Sequence, residues 1–291
     1  MDTNTFLITV YCIVDDFMKD KQVRKRGPQP QLSDSEVITI EIVGTFLGID
    51  TDKGLYTEFK QNYGEWFPAL RRIHRTTFTR QMANLWHYKI QIWHHLLARM
   101  RFDRRISLID SFPVPICRFA RAYRCRRLRE IAAFGRDEVA RQTFLGLRAH
   151  LRVCWPGVIV DFRLAPANIH ELQVAEDLLE GVHGWALGDR NYWSPELSAR
   201  LLAQDLFLMA PFRKASSETK PWPRWMKHMR YRIETIIGQL VDRFHAKQVR
   251  ARDAWHLYSR WARRILSHTF AVLLCQQAGG SPLGFADLLC E

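Results

Sequence analysis

The stretch Arg105-Ile106-Ser107-Leu108-Ile109-Asp110-Ser111-Phe112-Pro113-Val114 decides how the rest of the chain is interpreted. Its first half is a short run of β-forming residues, which predicts a buried strand. We expect the strand to end at Asp110, because Pro113 cannot continue a central ladder. A carboxylate at the carboxyl end of a buried strand is where open α/β sheets place ligands and chemistry. The alternative is an Asx turn that only closes the strand.

The charge of the chain indicates a polyanionic partner. The 291 residues include 43 Lys and Arg against 30 Asp and Glu, and almost all of the excess lies after residue 100. A basic surplus concentrated in one part of a protein favours nucleic acid as its partner. The alternative is a basic domain without such a partner. The composition, 47% hydrophobic and 25% charged, is typical of a folded globular protein.

The cysteine pattern and the hydropathy of the chain indicate in which cellular compartment the protein is expected. The six cysteines form no C-x-x-C pair and no Cys/His zinc spacing, so we expect reduced, mostly structural thiols. No apolar run reaches the roughly 18 residues that a membrane span needs. These patterns predict a cytoplasmic protein, associated with the nucleoid if DNA is its partner, and no membrane contact.

Residues 1–100 are predicted to be mostly helical. A capping box at Ser33 and Glu36 opens one apolar helix. A second, long helix is predicted from Thr76 or Thr77 to about residue 100. Arg75 and Arg80 flank its first turn, as in a recognition helix that enters a DNA groove. An ordinary amphipathic bundle helix explains the same pattern equally well.

From residue 101 predicted strands alternate with helices, and three acids stand at informative places. Asp110 and Asp189 are each predicted to end a strand, and Glu234 lies on the edge of a helical apolar stripe. Three carboxylates that approach one another repel, and divalent cations between them would keep them ionised. This is the donor set of a two-metal phosphoryl-transfer site. Arg230, one helical turn before Glu234, could hold that carboxylate ionised or bind a phosphate. A surface Glu among arginines is the alternative for Glu234.

Five short motifs in this order resemble bacterial insertion-sequence transposases of the DDE superfamily. They are LIDSFP at 108–113, GLRAH at 146–150, LAPANIHE at 164–171, GDRNY at 188–192 and RYRIE at 230–234. The resemblance implies an α/β fold, with a ribonuclease-H-like mixed sheet flanked by helices and an α-helical N-terminal region. It also implies that Asp110, Asp189 and Glu234 are the catalytic, metal-binding residues.

The resemblance further implies Mg²⁺ or Mn²⁺, two ions, as cofactor and double-stranded DNA as substrate. That DNA would be the terminal inverted repeats of the transposon and its target, with a homodimer pairing the two ends. Similar proteins carry Lys where Arg148 stands, Gly where Asn191 stands and Lys where Val241 stands. The last departure puts one DNA-backbone contact in doubt, and Arg243 or Lys247 is a candidate replacement.

Further DNA contacts are predicted from the distribution of cations. An arginine-rich insertion at 117–130 is expected to bind DNA, although a solvated basic loop is the alternative. Trp193 is either a stacking platform for an unpaired base or a packed aromatic residue. The predicted DNA-binding residues are Arg75, Arg80, Arg118, Arg121, Arg124, Arg126, Arg127, Arg148, Arg190, Trp193, Arg230, Arg243 and Lys247.

These observations predict two regions. Residues 1–100 would form a helical DNA-binding region, and residues 101–291 a ribonuclease-H-like catalytic domain. The predicted function is metal-dependent cleavage and strand transfer at insertion-sequence ends. The alternatives are a nuclease on the same fold, which would cut without joining, and a DNA-binding repressor that does no chemistry.

Overall fold

A computed structural model describes residues 1–24, 26–212 and 222–289 of the chain. The chain divides into two compact units. The helical unit consists of Met1–Met100, Asp242–Ala246 and Arg250–Glu291, and the sheet unit of Arg101–Val241 and Lys247–Val249. The sequence predicts a single catalytic region from residue 101 to the C-terminus, whereas Arg250–Glu291 belongs to the helical unit.

The last helix explains this difference. It runs over Ala254–Gln277, and from Ser259 to Cys275 every one of its residues is buried. A helix whose whole circumference is buried needs other helices around it. Within the helical unit, the helices at Asp34–Phe46 and Trp86–Leu97 supply that cover.

The helical unit contains six α-helices among the described residues. They are α1 Thr3–Met18, α2 Asp34–Phe46, α3 Asp52–Asn62, α4 Arg75–Asn84, α5 Trp86–Leu97 and, after the sheet unit, the final helix Ala254–Gln277. The capping box of α2 forms as predicted. The N–H of Glu36 donates to Ser33 Oγ at 3.1 Å, and the N–H of Ser33 donates to Glu36 Oε2 at 2.6 Å.

The prediction of one long helix from Thr76 towards residue 100 was wrong, since α4 and α5 are separate helices. The cap of α4 is His74, whose Nδ1 accepts from the N–H of Thr76. At the break, the N–H of Leu85 donates to the carbonyl oxygens of both Gln81 and Met82. This shared bond tightens the last turn of α4, and the chain then starts a new helix at residue 86.

The sheet unit is built on a mixed sheet. Its elements are β1 Asp103–Arg118, β2 Ala133–Asp137, β3 Gln142–Trp155, β4 Val158–Pro166, α6 Glu171–Leu178, β5 Gly184–Leu187, α7 Pro195–Leu202, β6 Leu206–Met209 and α8 Arg224–Asp242. With the remaining helix numbered α9 (Ala254–Gln277), the labels follow chain order. β3 pairs antiparallel with β1 on one edge and with β2 and β4 on the other. β5 runs parallel to β1, and β6 runs parallel to β5. The predicted α/β fold with a ribonuclease-H-like mixed sheet is confirmed.

The expected end of β1 at Asp110 was wrong. The strand continues to Arg118, and Pro113 and Pro115 lie within it, opposite Arg148 and Gly146 of β3. The reason is the limited reach of β5, which pairs with β1 only as far as Leu108. Beyond that point β1 is paired on one edge alone, and a free edge tolerates proline. Asp110 therefore lies in the middle of a strand, just past the end of its parallel neighbour.

Helices α6 and α7 cover one part of the sheet through an apolar core that includes Ile109, Ala186 and Leu206. Helix α8 buries Met226, Ile233, Ile236 and Leu240.

None of the helices in the described ranges is long and apolar enough to cross a membrane. The cysteines within those ranges are free thiols, and Cys290 lies outside them.

Candidate active site

Asp110 lies on β1 opposite Leu151 of β3, with its side chain only partly accessible. Its Oδ1 accepts from the N–H of Ser111 at 2.7 Å. Burial raises the pKa of the Asp110 carboxyl to about 7, the charge of Asp189 acts in the same direction, and Arg230 opposes the shift. The positive charge near Asp110 therefore does not fully compensate its ionised carboxylate.

Asp189 follows β5, whose parallel pairing with β1 brings it into electrostatic range of Asp110. Its Oδ1 accepts from the N–H of Asn191 at 2.9 Å, which caps the short 3₁₀ turn at Arg190–Tyr192. Burial raises the pKa of Asp189, and the charge of Glu171 adds to this effect while Arg230 opposes it. The turn fixes this carboxylate just beyond the end of β5.

Glu234 lies on α8 and is bound by Arg230. The Arg230 Nη2 donates to Glu234 Oε1 at 2.5 Å, across one helical turn. The carboxylate is 41% exposed and the guanidinium 31%. Although burial disfavours its charge, the pKa of Arg230 is raised by the bond to Glu234 and by the charges of Asp110 and Asp189. Arg230 is thus a cation that interacts with all three predicted acids.

The donor set fits a divalent ion only in part. Asp110 and Asp189 have raised pKa values because each is buried near other negative charge, and a cation between them would relieve that cost. Mg²⁺ needs only one or two protein carboxylates when waters and substrate phosphate complete its octahedron. Among the described residues no group of three or more His, Cys, Asp or Glu side chains could hold a metal ion. With Glu234 bound to Arg230, two of the three predicted ligands form the candidate metal position.

A fourth acid, Glu171, belongs to this site and had no assigned role in the sequence interpretation. Its Oε1 accepts from Ser111 Oγ at 2.6 Å and from Arg148 Nη1 at 2.8 Å. Ser111 is the neighbour of Asp110, and it also bonds the buried Tyr192. The available signal was an acid at the first turn of a helix, inside the motif 164–171. Arg148, which is predicted to contact DNA, is largely buried in this ion pair.

Two histidines near the site have different surroundings. His170 caps α6, because its Nδ1 accepts from the N–H of Leu172 at 3.2 Å. His150 stands opposite Ser111 on β3 and is almost fully buried. Burial lowers its pKa to about 4, and the charge of Arg148 adds to that effect. His150 is therefore neutral at physiological pH, and neither ring nitrogen has a hydrogen-bond partner among the described residues.

A cavity of about 400 Å³ opens beside Glu234. Its lining combines cations with aromatic rings and comprises Arg190, Pro211, Trp222, Lys227, Arg230, Tyr231 and Glu234. Arg190 is exposed, and its Nη1 donates to the carbonyl oxygen of Phe212 at 3.0 Å. Trp193 packs on the ring of Phe212, with ring centroids 5.7 Å apart, and is half-buried. Three cations next to the acids give this pocket the character of a phosphate-binding surface.

The other predicted DNA contacts fall into two groups. One group is exposed on the surface and comprises Arg75, Arg80, Arg118, Arg121, Arg124, Arg126 and Arg127. The other group has partners inside its own unit. Arg243 donates to the carbonyl oxygen of Phe46 and stacks on its ring, 4.1 Å from the centroid. Lys247 pairs with Asp137 at 3.9 Å. The resemblance expects a lysine where Val241 stands, and Arg243 and Lys247 are its two proposed replacements. Because Arg243 is held by Phe46, it is the less available of the two for a DNA contact.

Comparison with known proteins identifies the family. A family model described as a transposase DDE domain matches residues 76–254, more than half of the chain and all five sequence motifs. No curated protein and no solved structure gives a significant match. Domains of this family generally use divalent metals, and a transposase has DNA as its substrate. Its fold, its sequence motifs and this match together show that the chain belongs to the transposase DDE domain family.

Proposed function

We propose that this transposase cleaves DNA at insertion-sequence ends and joins the cut strand to a target, with Mg²⁺ or Mn²⁺ bound at Asp110 and Asp189. One observation carries the proposal. Two adjacent parallel strands bring two partly buried carboxyls with raised pKa values together, beside a helix that supplies a third carboxylate and a cation. Carboxyls with raised pKa values that lie close together are typical of catalytic sites.

Each residue has a distinct part in this proposal. Bound divalent ions, two in the full site, would activate the attacking water or 3′-hydroxyl and stabilise the leaving oxygen. Asp110 and Asp189 would hold the first ion. Glu234 would contribute its carboxylate once it separates from Arg230, and the released guanidinium would face the DNA phosphate. The bonds from Ser111 and Arg148 to Glu171 hold β1 against α6, which fixes the position of Asp110.

The binding of DNA is assigned to three surfaces. In the helical unit, the exposed Arg75 and Arg80 of α4 would recognise the terminal inverted repeats. In the sheet unit, the arginines between β1 and β2 would bind phosphates, and so would the cationic cavity beside Glu234. Pairing of two transposon ends implies a homodimer. Such a protein would act at the nucleoid, in the cytoplasm.

Charge-removing substitutions test the centre of the proposal. Asp110→Asn, Asp189→Asn and Glu234→Gln keep side-chain size but remove one ligand charge. Each should lower cleavage of a labelled terminal repeat in Mg²⁺ by about three orders of magnitude or more, because the cation stabilises transition-state charge. Combining two of them should add little, since a site that fails with one ligand missing has little left to lose. Binding of the same DNA without metal should stay within a few-fold.

Asp161→Asn is the matched control. Asp161 lies on β4 and pairs with the exposed Arg163, so its substitution should leave cleavage unchanged. If Glu234→Gln cut at the normal rate while Asp161→Asn did not, the assignment of the third carboxylate would be wrong.

The second candidate function is DNA binding without chemistry. The ion pair between Arg230 and Glu234 favours it, because it keeps the third carboxylate away from a metal. Incubation with a labelled end and Mg²⁺ separates the possibilities. A joined product supports the transposase, a cut product alone indicates a nuclease, and a shifted band alone indicates a repressor.

A further inference from the structure

The segment 118–134 runs from the last residue of β1 to the start of β2 and is named the arginine arm; it exposes three aromatic rings. Phe119 is 61% exposed, Tyr123 67% and Phe134 51%. Large aromatic side chains normally contribute to a core, so three exposed rings on one short segment indicate a binding surface.

The arm is anchored to the sheet unit. Ala122 and Leu128 are buried, and Arg127 Nη2 donates to the carbonyl oxygen of Ile116 on β1 at 3.2 Å. Residues 119–124 form a 3₁₀ turn, and the carbonyl oxygen of Leu128 accepts two further backbone bonds. The rings therefore project from a defined backbone, and their exposure does not result from a lack of local structure.

The rings keep open faces. Phe119 and Phe134 meet nearly edge to face, with centroids 5.8 Å apart and an interplanar angle of 62°. In such a pair the ring that presents its edge leaves its own faces uncovered by its partner. The guanidinium of Arg124 lies 5.2 Å from the centroid of Tyr123, as in a cation–π contact.

The positive charge of the arm indicates the class of molecule that it binds. The side chains around these rings are mainly arginines, and Glu130 is the one acid in the sequence of the segment. The exposed arginines are Arg118, Arg121, Arg124, Arg126, Arg127 and Arg129. A surface of this sign complements a polyanion. Bases in an intact duplex hide their faces by stacking on each other, whereas unpaired bases present a face to an aromatic ring.

We propose that the arginine arm binds DNA at unpaired bases, with Phe119 and Tyr123 stacking on the bases while the surrounding arginines bind the phosphates. The inference extends the proposed function, because it takes DNA as the substrate. Arg118 is eight residues beyond Asp110 on the same strand, which places the start of the arm up to roughly 26 Å from Asp110. Phe119 and Tyr123, which follow Arg118, would thus contact DNA outside the reacting phosphate.

Fluorescence of 2-aminopurine tests the proposal. The full-length protein is mixed with a fully paired duplex and with the same duplex carrying a three-base mismatched bubble, with 2-aminopurine in the bubble. Binding should quench the 2-aminopurine, because its base stacks on a ring. The bubble should bind about tenfold more tightly than the paired duplex, as expected for one or two stacked bases.

Matched variants separate stacking from charge. Phe119→Ala with Tyr123→Ala should abolish both the quenching and the preference for the bubble, while the exchange Phe119→Tyr with Tyr123→Phe should retain them. Phe207→Ala, which removes an exposed ring of β6, is the control and should behave as the native protein. Arg121→Gln with Arg124→Gln should instead flatten the dependence of log K on log salt for both DNAs, by about 0.9 for each phosphate that the protein no longer neutralises.

Two outcomes would overturn the inference. One is equal binding of bubble and duplex by the native protein. The other is that the variant with both Phe119→Ala and Tyr123→Ala still quenches the 2-aminopurine. This outcome counts against the inference whether or not sedimentation shows a change in self-association. Neither outcome affects the proposed function, which is tested separately by the loss of cleavage in Asp110→Asn.

Discussion

At the scale of single residues, the candidate active site contains more negative charge than its cations compensate. Asp110 and Asp189 are buried near each other and near Glu171, and both have raised pKa values. Arg230 offsets part of this charge while it also binds Glu234. A divalent cation at the two aspartates would supply the positive charge that the surrounding residues lack.

The affinity of the protein for Mn²⁺ should depend on pH. Burial raises the pKa of Asp110 to about 7, so below that pH a proton competes with the metal ion. Apparent affinity should therefore rise about tenfold per pH unit up to about 7 and level off above it, if one proton leaves for each ion bound. Calorimetric titration of the DNA-free protein between pH 5.5 and 8 measures this dependence.

Two variants sharpen the test. Glu171→Gln should move the transition to lower pH, because the charge of Glu171 is one cause of the raised pKa values of Asp110 and Asp189. Asp161→Asn should leave the transition in place. A Mn²⁺ affinity that is constant across this pH range would show that Asp110 is already ionised or does not bind the ion.

At the scale of elements, a buried ion pair links four helices of the helical unit. Lys89 of α5 donates to both carboxylate oxygens of Glu41 of α2 at 2.8 Å and to Ser259 Oγ of α9 at 2.8 Å. It also donates to the carbonyl oxygen of Met82, at the end of α4. Both charged side chains are almost completely inaccessible. Burial lowers the pKa of Lys89 and raises that of Glu41, while their mutual attraction opposes both shifts.

Removal of one partner should be costly. Lys89→Met leaves Glu41 buried without its closest cation, and the free energy of unfolding should fall by about 3–5 kcal/mol. Adding Glu41→Gln should restore more than half of that loss, because the buried charge is then gone. Urea unfolding measures each value. Lys19→Met, which breaks an exposed pair with Asp16, is the control and should not change the midpoint. A Lys89→Met variant as stable as this control would show that the buried pair is unimportant.

At the scale of the whole molecule, the helical unit is assembled from both ends of the chain. Helix α9 is buried among helices formed by the first hundred residues. A truncation at residue 101 would therefore expose its apolar surface, and it cannot isolate the DNA-binding contribution of residues 1–100. Point substitutions on the exposed face of α4 are the better test.

Arg75→Ala with Arg80→Ala should reduce the preference for the terminal repeat over a scrambled sequence by about tenfold, since base contacts are worth about 1–3 kcal/mol each. Both side chains are exposed on α4, so stability should be unaffected. Binding to the scrambled DNA should decrease much less, because phosphate contacts carry that part of the affinity. Competition binding at fixed salt measures the ratio. Arg99 is another exposed arginine of the helical unit, and Arg99→Ala should not alter this ratio. If the variant with both Arg75→Ala and Arg80→Ala discriminated between the two DNAs as well as the native protein, α4 would not belong to the recognition surface.

Much of the fold follows from local sequence patterns. The capping box at Ser33 and Glu36 forms as predicted. β3 and β4 pair as a hairpin around Gly157. Asp189 does follow a short strand, and Pro195 opens a helix. These features depend on residues close together in the chain, whose preferences are set by local hydrogen bonds and backbone sterics.

What the sequence alone determined about this protein is the order and type of most elements and the family motifs, in which the three candidate acids lie. Only the tertiary structure decided how far β1 extends, because the tolerance of Pro113 depends on which edge β5 leaves free. It also decided that Glu171 adjoins Ser111 and that Glu234 pairs with Arg230. These outcomes depend on strand register and on burial, which residues distant in the chain impose on one another.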